Sequence, residues 1–363
     1  MRVLELIADG DQGGAQRHVW DLVQALAGEG TSLITGTSGW LTSQAAEAGA
    51  QVAIIPGLSR HASLTTLGQG RAALSAIISS ERPDLIHTHG AKALWLAKQT
   101  LSSDGPVLVA TSHGLAAFDP TRPVFERVAL AAVERWRKSR VRAWIGVSRR
   151  ECELASQLGI VPERIHCIPN GVALGPEPPS RQGLIRHLAF VGRLVAEKGV
   201  RLLPDIAASL PPDATLHVAG DGPLRGFLER QAKTPAVRGK LVLEGWVDPV
   251  GTWLGQMDGF LLPSRKEGLP YALLEAAAQA LPIVAFAVGG VGDLLAEGLS
   301  GRVVPAGQDQ SFIMAVQELC RDKTRPWMWG ERAREAVRQR FTVEQMRRDT
   351  LSLYQESVAE GAH

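Results

Sequence analysis

Cysteine is scarce in this 363-residue sequence: Cys152, Cys167 and Cys320 are the three present, and none stands in a CxxC or other metal-ligand spacing. An odd, scattered set excludes a disulfide framework and fits a reducing compartment, with the thiols acting as packing groups. Long apolar runs are missing as well. Nothing approaches the roughly 18 residues of a membrane span, and the N-terminus enters an apolar run at Val3 without the basic, apolar and cleavage segments of a secretory signal. A cytoplasmic location is expected. Nor is there an excess of one charge: the formal net charge of +2 argues against a general nucleic-acid binder.

What is present reads as a soluble α/β protein, 45% hydrophobic and 21% charged, and longer than one typical domain. Short apolar runs at Val3 to Ile7, Ser32 to Thr35, Val52 to Ile55, Asp84 to Thr88, Val107 to Thr111, Ala143 to Val147 and Ile165 to Ile168 alternate with segments of helical periodicity. That alternation predicts a parallel sheet wrapped by helices. Ser148 followed by Glu151 predicts a capping box at the start of one helix. A turn at Pro169–Gly171 leads into a Pro-rich stretch from Leu174 to Gly183, read as a linker. The pattern then restarts, with strands near Leu188 to Val191, Thr215 to Ala219, Lys240 to Leu243, Gly259 to Pro263, Pro282 to Phe286 and Arg302 to Val304. The expected division is 1–173, a linker 174–183, a second domain 184–340 and a terminal helix 341–363 that crosses back onto the first domain.

In open α/β sheets ligands gather at the carboxyl ends of strands, and there the second half turns polar and glycine-rich. Arg193 and Lys198 follow one strand, Gly220 to Pro223 with Asp221 follow the next, and Ser264 to Tyr271 with Glu275 follow another. Two cations beside glycines suit a diphosphate, the guanidinium as a two-pronged donor and the ammonium as a point charge. Pro270 suits the first turn of a helix whose N–H groups favour an anion. Glu267 and Glu275 stand eight residues apart. Each carboxylate can accept two hydrogen bonds and so hold a vicinal diol, and the apolar neighbours Leu273, Leu274 and Ala276 predict a buried helix whose carboxylate needs a partner. In the first half Gly13 and Gly14 sit between a strand and its helix, where backbone N–H groups meet phosphate or sugar oxygens. His113 ends the strand from Val107. His87 and His89 form an HxH pair, but with no cysteine or carboxylate cluster nearby they complete no metal site.

Together these residues resemble the retaining glycosyltransferases of family 4, which have the GT-B fold. The matching segments run through nearly the whole chain: GGAQRHV (Gly13 to Val19), TSHG (Thr111 to Gly114), GVSRRE (Gly146 to Glu151), IPNGV (Ile168 to Val172), VGRLVAEKG (Val191 to Gly199), VAGDGP (Val218 to Pro223), EGWV (Glu244 to Val247) and EGLPYALLEAAAQALPIVA (Glu267 to Ala285), the last carrying an E-x7-E motif. The resemblance implies two Rossmann-like, doubly wound domains facing across a cleft. It implies that Arg193 and Lys198 neutralise the donor diphosphate and that Glu275 holds the ribose. Glu267 and the backbone of Gly268, Leu269, Pro270 and Tyr271 would meet the donor sugar, with Asp221 nearby and Trp246 and Val247 bordering the base. Gly13 and Gly14 would approach the diphosphate, and His113 the reacting sugar. The implied chemistry is transfer from a nucleotide-sugar donor, UDP by family habit, to a glycan or lipid-linked acceptor with retention at the anomeric carbon. The leaving phosphate takes the acceptor proton, and no metal or other cofactor is required.

Two features depart from the plain pattern. Pro204 predicts that the helix after Lys198 is kinked or begins late. Between 135 and 150 stand Arg135, Arg137, Lys138, Arg140, Arg142, Arg149 and Arg150 without an acidic residue, flanked by Trp136 and Trp144, a composition suited to an anionic membrane surface. A UDP-sugar 2-epimerase of the same architecture and a non-catalytic partner subunit are the competing readings. The glutamate pair and Gly13-Gly14 favour transfer.

Overall fold

The computed structural model describes residues 1–28, 30–59, 64–102, 105–115, 124–125, 127–128, 131 and 140–361. Its first sheet contains β1 (Val3–Ile7), β2 (Ser32–Thr35), β3 (Gln51–Ile54), β4 (Leu85–His89), β5 (Val107–Ser112), β6 (Ala143–Gly146) and β7 (Ile165–Cys167). All pairings are parallel, in the order β3-β2-β1-β4-β5-β6-β7. The second sheet contains β8 (His187–Val191), β9 (Thr215–Ala219), β10 (Leu241–Gly245), β11 (Gly259–Leu262), β12 (Ile283–Phe286) and β13 (Arg302–Val304), parallel and ordered β10-β9-β8-β11-β12-β13. Both sheets therefore grow outward from a first strand and then reverse direction, at β1/β4 and at β8/β11. Such a reversal opens a crevice at the strands' carboxyl ends and marks the binding position of each unit.

Covered on both faces, the central strands are apolar almost throughout, as parallel strands require. Leu4, Leu6, Ile86, Leu108 and Trp144 lie in the core of the first unit, and Leu188, Phe190, Leu261, Phe286 and Phe312 in that of the second. The main exceptions sit on three adjacent strands: Glu5 is fully buried in the middle of β1, beside the buried His87, Thr88 and His89 of β4 and Thr111 and Ser112 of β5. In register Glu5 stands opposite His87, while Ile7 stands opposite His89.

Contacts group residues 1–169 with 344–363 and residues 170–343 as a second compact unit. The last helix, Val343–Gly361, thus supplies most of its length to the first unit. There Tyr354 is fully buried against His87, Arg347 reaches Gln24 at 2.7 Å, and Glu360 pairs with Arg142. The segment from Leu174 to Gly183, read as a linker from its prolines, is fastened to the second unit. The buried Arg334 donates to the carbonyls of Gly175 and Pro176 and to Glu177, and Arg181 donates to the carbonyls of Gly255 and Met257.

After β8 the chain makes two 3-10 turns, Ala196–Lys198 and Val200–Leu202, before the helix Leu203–Ser209. The helix begins late rather than kinked, because Pro204 falls in its first turn, where the missing N–H has no partner to lose. Gly199 joins the two turns in the left-handed region, at φ 70°, and a Cβ there would lie 1.9 Å from the Pro263 carbonyl oxygen. Only glycine lets this loop press onto the end of β11. Gly199→Ala is expected to destabilise the second unit by about 1–3 kcal/mol and to lower its thermal midpoint; an unchanged midpoint would contradict this close approach.

Candidate active site

At the reversal of the second sheet, the loop after β8 carries Arg193 and Lys198 and the loop after β11 carries Glu267. The Lys198 ammonium lies 2.7 Å from Oε1 and 2.8 Å from Oε2 of Glu267. The lysine side chain is 23% exposed and the glutamate 6%, so the pair forms largely out of water, where a charge-assisted bond is strong. Arg193 is more open and pairs instead with Glu197 at 2.9 Å, an acid of the same loop. Arg265 of the β11 loop pairs with Asp309 at 2.6 Å and lies over the Phe286 ring. Gly289, beyond β12, adopts φ 52° where a Cβ would meet the Glu267 carbonyl oxygen at 2.2 Å, so backbone packing from β12 holds the Glu267–Gly268 turn.

The helix after that turn runs Tyr271–Ala278, with Pro270 as its cap residue in extended conformation. Pro270 therefore lies one position before the first helical turn in which the sequence reading placed it, because its ψ of 133° is extended rather than helical. Leu269 and Tyr271 are buried, whereas Gly268, Pro270 and Glu275 are half-buried. Asn170 donates to the Leu269 carbonyl at 2.7 Å and holds this turn from beneath. Asp221, exposed after β9, accepts from its neighbour Gly222 N–H at 2.6 Å and pairs with Arg225 at 2.9 Å. These bonds organise its own turn. Trp246 is 58% exposed and Val247 half-buried, both just past β10.

In the first unit Gly13, extended at φ −175°, caps the helix Gly14–Ala25 without any side-chain bond, so the glycine turn opens directly onto helix N–H groups. His113 follows β5. Its loop is held by Glu151, which accepts from the Ser112 hydroxyl and, at 3.2 Å, from the Leu115 N–H. The Ser148 half of the expected capping box is formed, with Ser148 accepting from Glu151 N–H at 3.2 Å. The buried Glu151 carboxylate reaches out to the histidine loop.

Residues that sequence reasoning missed lie behind His113. Its Nε2 is 3.1 Å from His89 Nδ1, and His89 Nε2 is 2.7 Å from Glu5 Oε2. The Tyr354 hydroxyl donates to Glu5 Oε1 at 3.0 Å. His87 contacts the Tyr354 hydroxyl at 2.5 Å and the Thr111 hydroxyl at 2.7 Å. The expectation that no carboxylate accompanies the HxH pair is thus corrected: β1 brings Glu5 into register with it, a proximity that local spacing cannot reveal. Geometrically, Glu5, His87 and His89 form one group able to hold a metal ion, and His18, His89 and His113 another, with donor atoms within 4.8 Å of one another. A buried glutamate in an otherwise apolar strand was the available signal, since such a group demands partners.

The flanking aromatics of the basic stretch do not act as a pair at the surface. Trp144 is 3% exposed, packed in the core by its place on β6, while Arg135, Trp136, Arg137 and Lys138 lie outside the described residues. Arg140 donates to the carbonyls of Leu101 and Ser102, and Arg150 pairs with Glu153 at 2.9 Å. Among the described residues no helix is long and apolar enough to cross a membrane.

Each unit is a doubly wound parallel sheet, and in the second a cation and a carboxylate meet at the point where the strand order reverses. Comparison with known proteins gives the family. The profile described as Glycosyltransferase Family 4 matches residues 12–175, and that described as Glycosyl transferases group 1 matches residues 185–322. The UDP-Gal:alpha-D-GlcNAc-diphosphoundecaprenol alpha-1,3-galactosyltransferase of Escherichia coli is 28% identical over 289 residues, covering 74% of each chain. The 2-deoxystreptamine N-acetyl-D-glucosaminyltransferase of Streptomyces fradiae is 27% identical over 330 residues, 82% of this chain and 75% of that one. Among solved structures, Anabaena HepE in complex with UDP-glucose superposes with a TM-score of 0.84 at 18% identity, covering 98% of this chain and 100% of that one. The chain belongs to glycosyltransferase family 4, and it is an enzyme of the hexosyltransferase type.

The histidine cluster makes stability depend on pH. Burial holds His87 and His113 below the usual imidazole range and His89 at about 4, from an ordinary 6.5. Burial would raise the Glu5 carboxyl, but the facing His87 and His89 outweigh it and keep it well below the usual range. All four groups bind more protons unfolded than folded as the pH falls. The contribution of the three histidines is complete above about pH 6.5 and is lost below it, by up to about 1.4 kcal/mol per pH unit for each, whereas that of Glu5 is lost only below about pH 4.5. The thermal midpoint of the first unit is expected to drop between pH 7 and pH 5, and a flat profile would contradict neutral buried imidazoles.

Proposed function

We propose that the protein transfers a sugar from a UDP-sugar to a glycan or lipid-linked acceptor with retention of anomeric configuration, in the biosynthesis of a cell-surface polysaccharide or glycoconjugate. The observation that carries the reading is the Lys198–Glu267 pair at the reversal of the second sheet. An ammonium has three N–H donors. Two meet Glu267, and the third is assigned to a phosphate oxygen of the donor. Arg193 supplies a second cation at the diphosphate once it turns from Glu197. Glu267 and the turn from Gly268 to Tyr271 are assigned to the sugar hydroxyls, Glu275 to the ribose, and Trp246 and Val247 to the edge of the base. In the first unit Gly13 and Gly14 are assigned to donor phosphate oxygens and His113 to the reacting sugar. UDP is preferred because the Escherichia coli relative is named for UDP-galactose and the Anabaena structure holds UDP-glucose.

Catalysis rests on electrostatics: positive charge fixed beforehand at the leaving diphosphate lowers the barrier as its negative charge develops. The acceptor attacks from the face that the diphosphate leaves, and a phosphate oxygen takes the acceptor proton. No metal enters this scheme. Mass spectrometry of a sugar-nucleotide panel, with lipid-linked and free glycan acceptors, is expected to show one donor consumed only when acceptor is present. Conversion of the donor to its 2-epimer without acceptor would overturn the reading. Lys198→Ala is expected to lower the transfer rate by roughly 10²- to 10³-fold, and an unchanged rate would remove the residue from the site.

For a lipid-linked acceptor we propose peripheral contact with an anionic membrane through the basic stretch from Arg135 to Arg150. Val124, Phe125 and Val128, a short way before it in the chain, are 69%, 74% and 64% exposed. Apolar side chains beside Lys and Arg bind such surfaces by partial burial together with charge attraction. The protein is expected to sediment with phosphatidylglycerol vesicles at low salt; equal recovery with phosphatidylcholine vesicles would refute the contact.

A further inference from the structure

We infer that Glu5 and His89 are positioning residues, which fix His113 as the tautomer protonated on Nε2 and thereby present its Nδ1 lone pair as a hydrogen-bond acceptor. The inference rests on the assignment of His113 to the reacting sugar. It follows from counting protons along one chain of contacts. Glu5 is fully buried, and three donors face it: the Tyr354 hydroxyl at 3.0 Å, His89 Nε2 at 2.7 Å and His87 Nδ1 at 3.3 Å. Two hydrogen bonds, with the His87 N–H close by, keep a buried carboxylate ionised, and an ionised carboxylate only accepts. The proton between Glu5 and His89 therefore belongs to His89 Nε2.

A neutral imidazole carries one N–H, so His89 Nδ1 is bare. It faces His113 Nε2 at 3.1 Å. Two bare nitrogens at that distance would repel, and the hydrogen must sit on His113. The opposite arrangement would aim the bare Nε2 of His89 at a carboxylate oxygen 2.7 Å away. His87 stands aside from this chain: it donates through Nδ1 towards Tyr354 and Glu5 and accepts from Thr111 through Nε2. One negative charge in β1 thus sets the protonation of a side chain two strands away. At metal sites an outer partner that fixes a histidine in this way commonly matters 10- to 100-fold, and an effect of that order is expected here. An imidazole of this form can accept a hydrogen bond from a sugar hydroxyl.

Two-dimensional 1H–15N spectra of the imidazole nitrogens at pH 7 test the assignment directly on the wild-type protein. His113 is expected as a single Nε2–H tautomer; an Nδ1–H tautomer or an imidazolium would overturn the inference. Glu5→Gln replaces the pure acceptor by an amide that can donate or accept, so His113 is expected to become a tautomer mixture. With it, kcat should fall about tenfold or more while KM for the donor changes less than about twofold. Tyr354→Phe removes a bond from the same buried network but leaves the carboxylate, and is expected to keep the wild-type tautomer. If Tyr354→Phe produces the same mixture as Glu5→Gln, general loosening is the cause and the inference falls. A full transfer rate in Glu5→Gln, where His113→Ala is slow, removes the relay and leaves the proposed function standing. A full rate in His113→Ala removes the assignment of His113 itself, and the inference with it. Stoichiometric zinc in the purified protein, lost in His18→Ala, would instead make the cluster a metal site.

Discussion

A lysine ammonium held against both oxygens of a mostly buried carboxylate joins the two loops that matter most in the second unit. Lys198 stands at the end of the β8 loop and Glu267 at the end of the β11 loop, the two strands between which the sheet reverses. Removing either partner would strand the other charge in a place with little water, which costs far more than an exposed pair is worth. The same pair constrains the backbone around it. Gly199 lies against Pro263, and Gly289 against Glu267 and Gly268, so three loops share one rigid edge. A site that stabilises developing charge needs this rigidity, because its dipoles must be in place before the reaction begins.

The first unit is organised around the opposite sign. Glu5 is an anion stabilised by neutral donors from β4 and from the terminal helix. Tyr354 closes that network from 349 residues away in sequence, which explains why the last helix groups with the first unit. Desolvation works in the same direction on all of the members. It keeps His87, His89 and His113 uncharged and raises the Tyr354 hydroxyl well above its usual range, so Glu5 remains the sole charge of the cluster.

Much of this was legible from local patterns. Parallel strands buried on both faces read as apolar runs with glycine-rich ends, and from those the two sheets and the polar loops of the second unit follow. Pairings between distant strands did not show. Nothing near His87 and His89 announces Glu5, and nothing in the terminal helix marks Tyr354 as the partner of β1. Composition misled where a side chain's environment decides its role. Trp144 lies among arginines in sequence yet packs in the core because β6 is an interior strand, paired on both sides by β5 and β7. Leu174 to Gly183 has the prolines of a linker, but Arg181 and Arg334 bind its ends to the second unit. Pro270 misplaced the helix start by one residue, since proline fixes φ but leaves ψ to its surroundings.

We propose that the reversal of the second sheet is a diphosphate site completed by protein cations alone. Titration calorimetry of the protein with UDP in the presence of EDTA tests it most directly. Saturable binding in EDTA, abolished in Lys198→Glu, is expected. Binding that requires a divalent ion, or that persists unchanged in that variant, would contradict it.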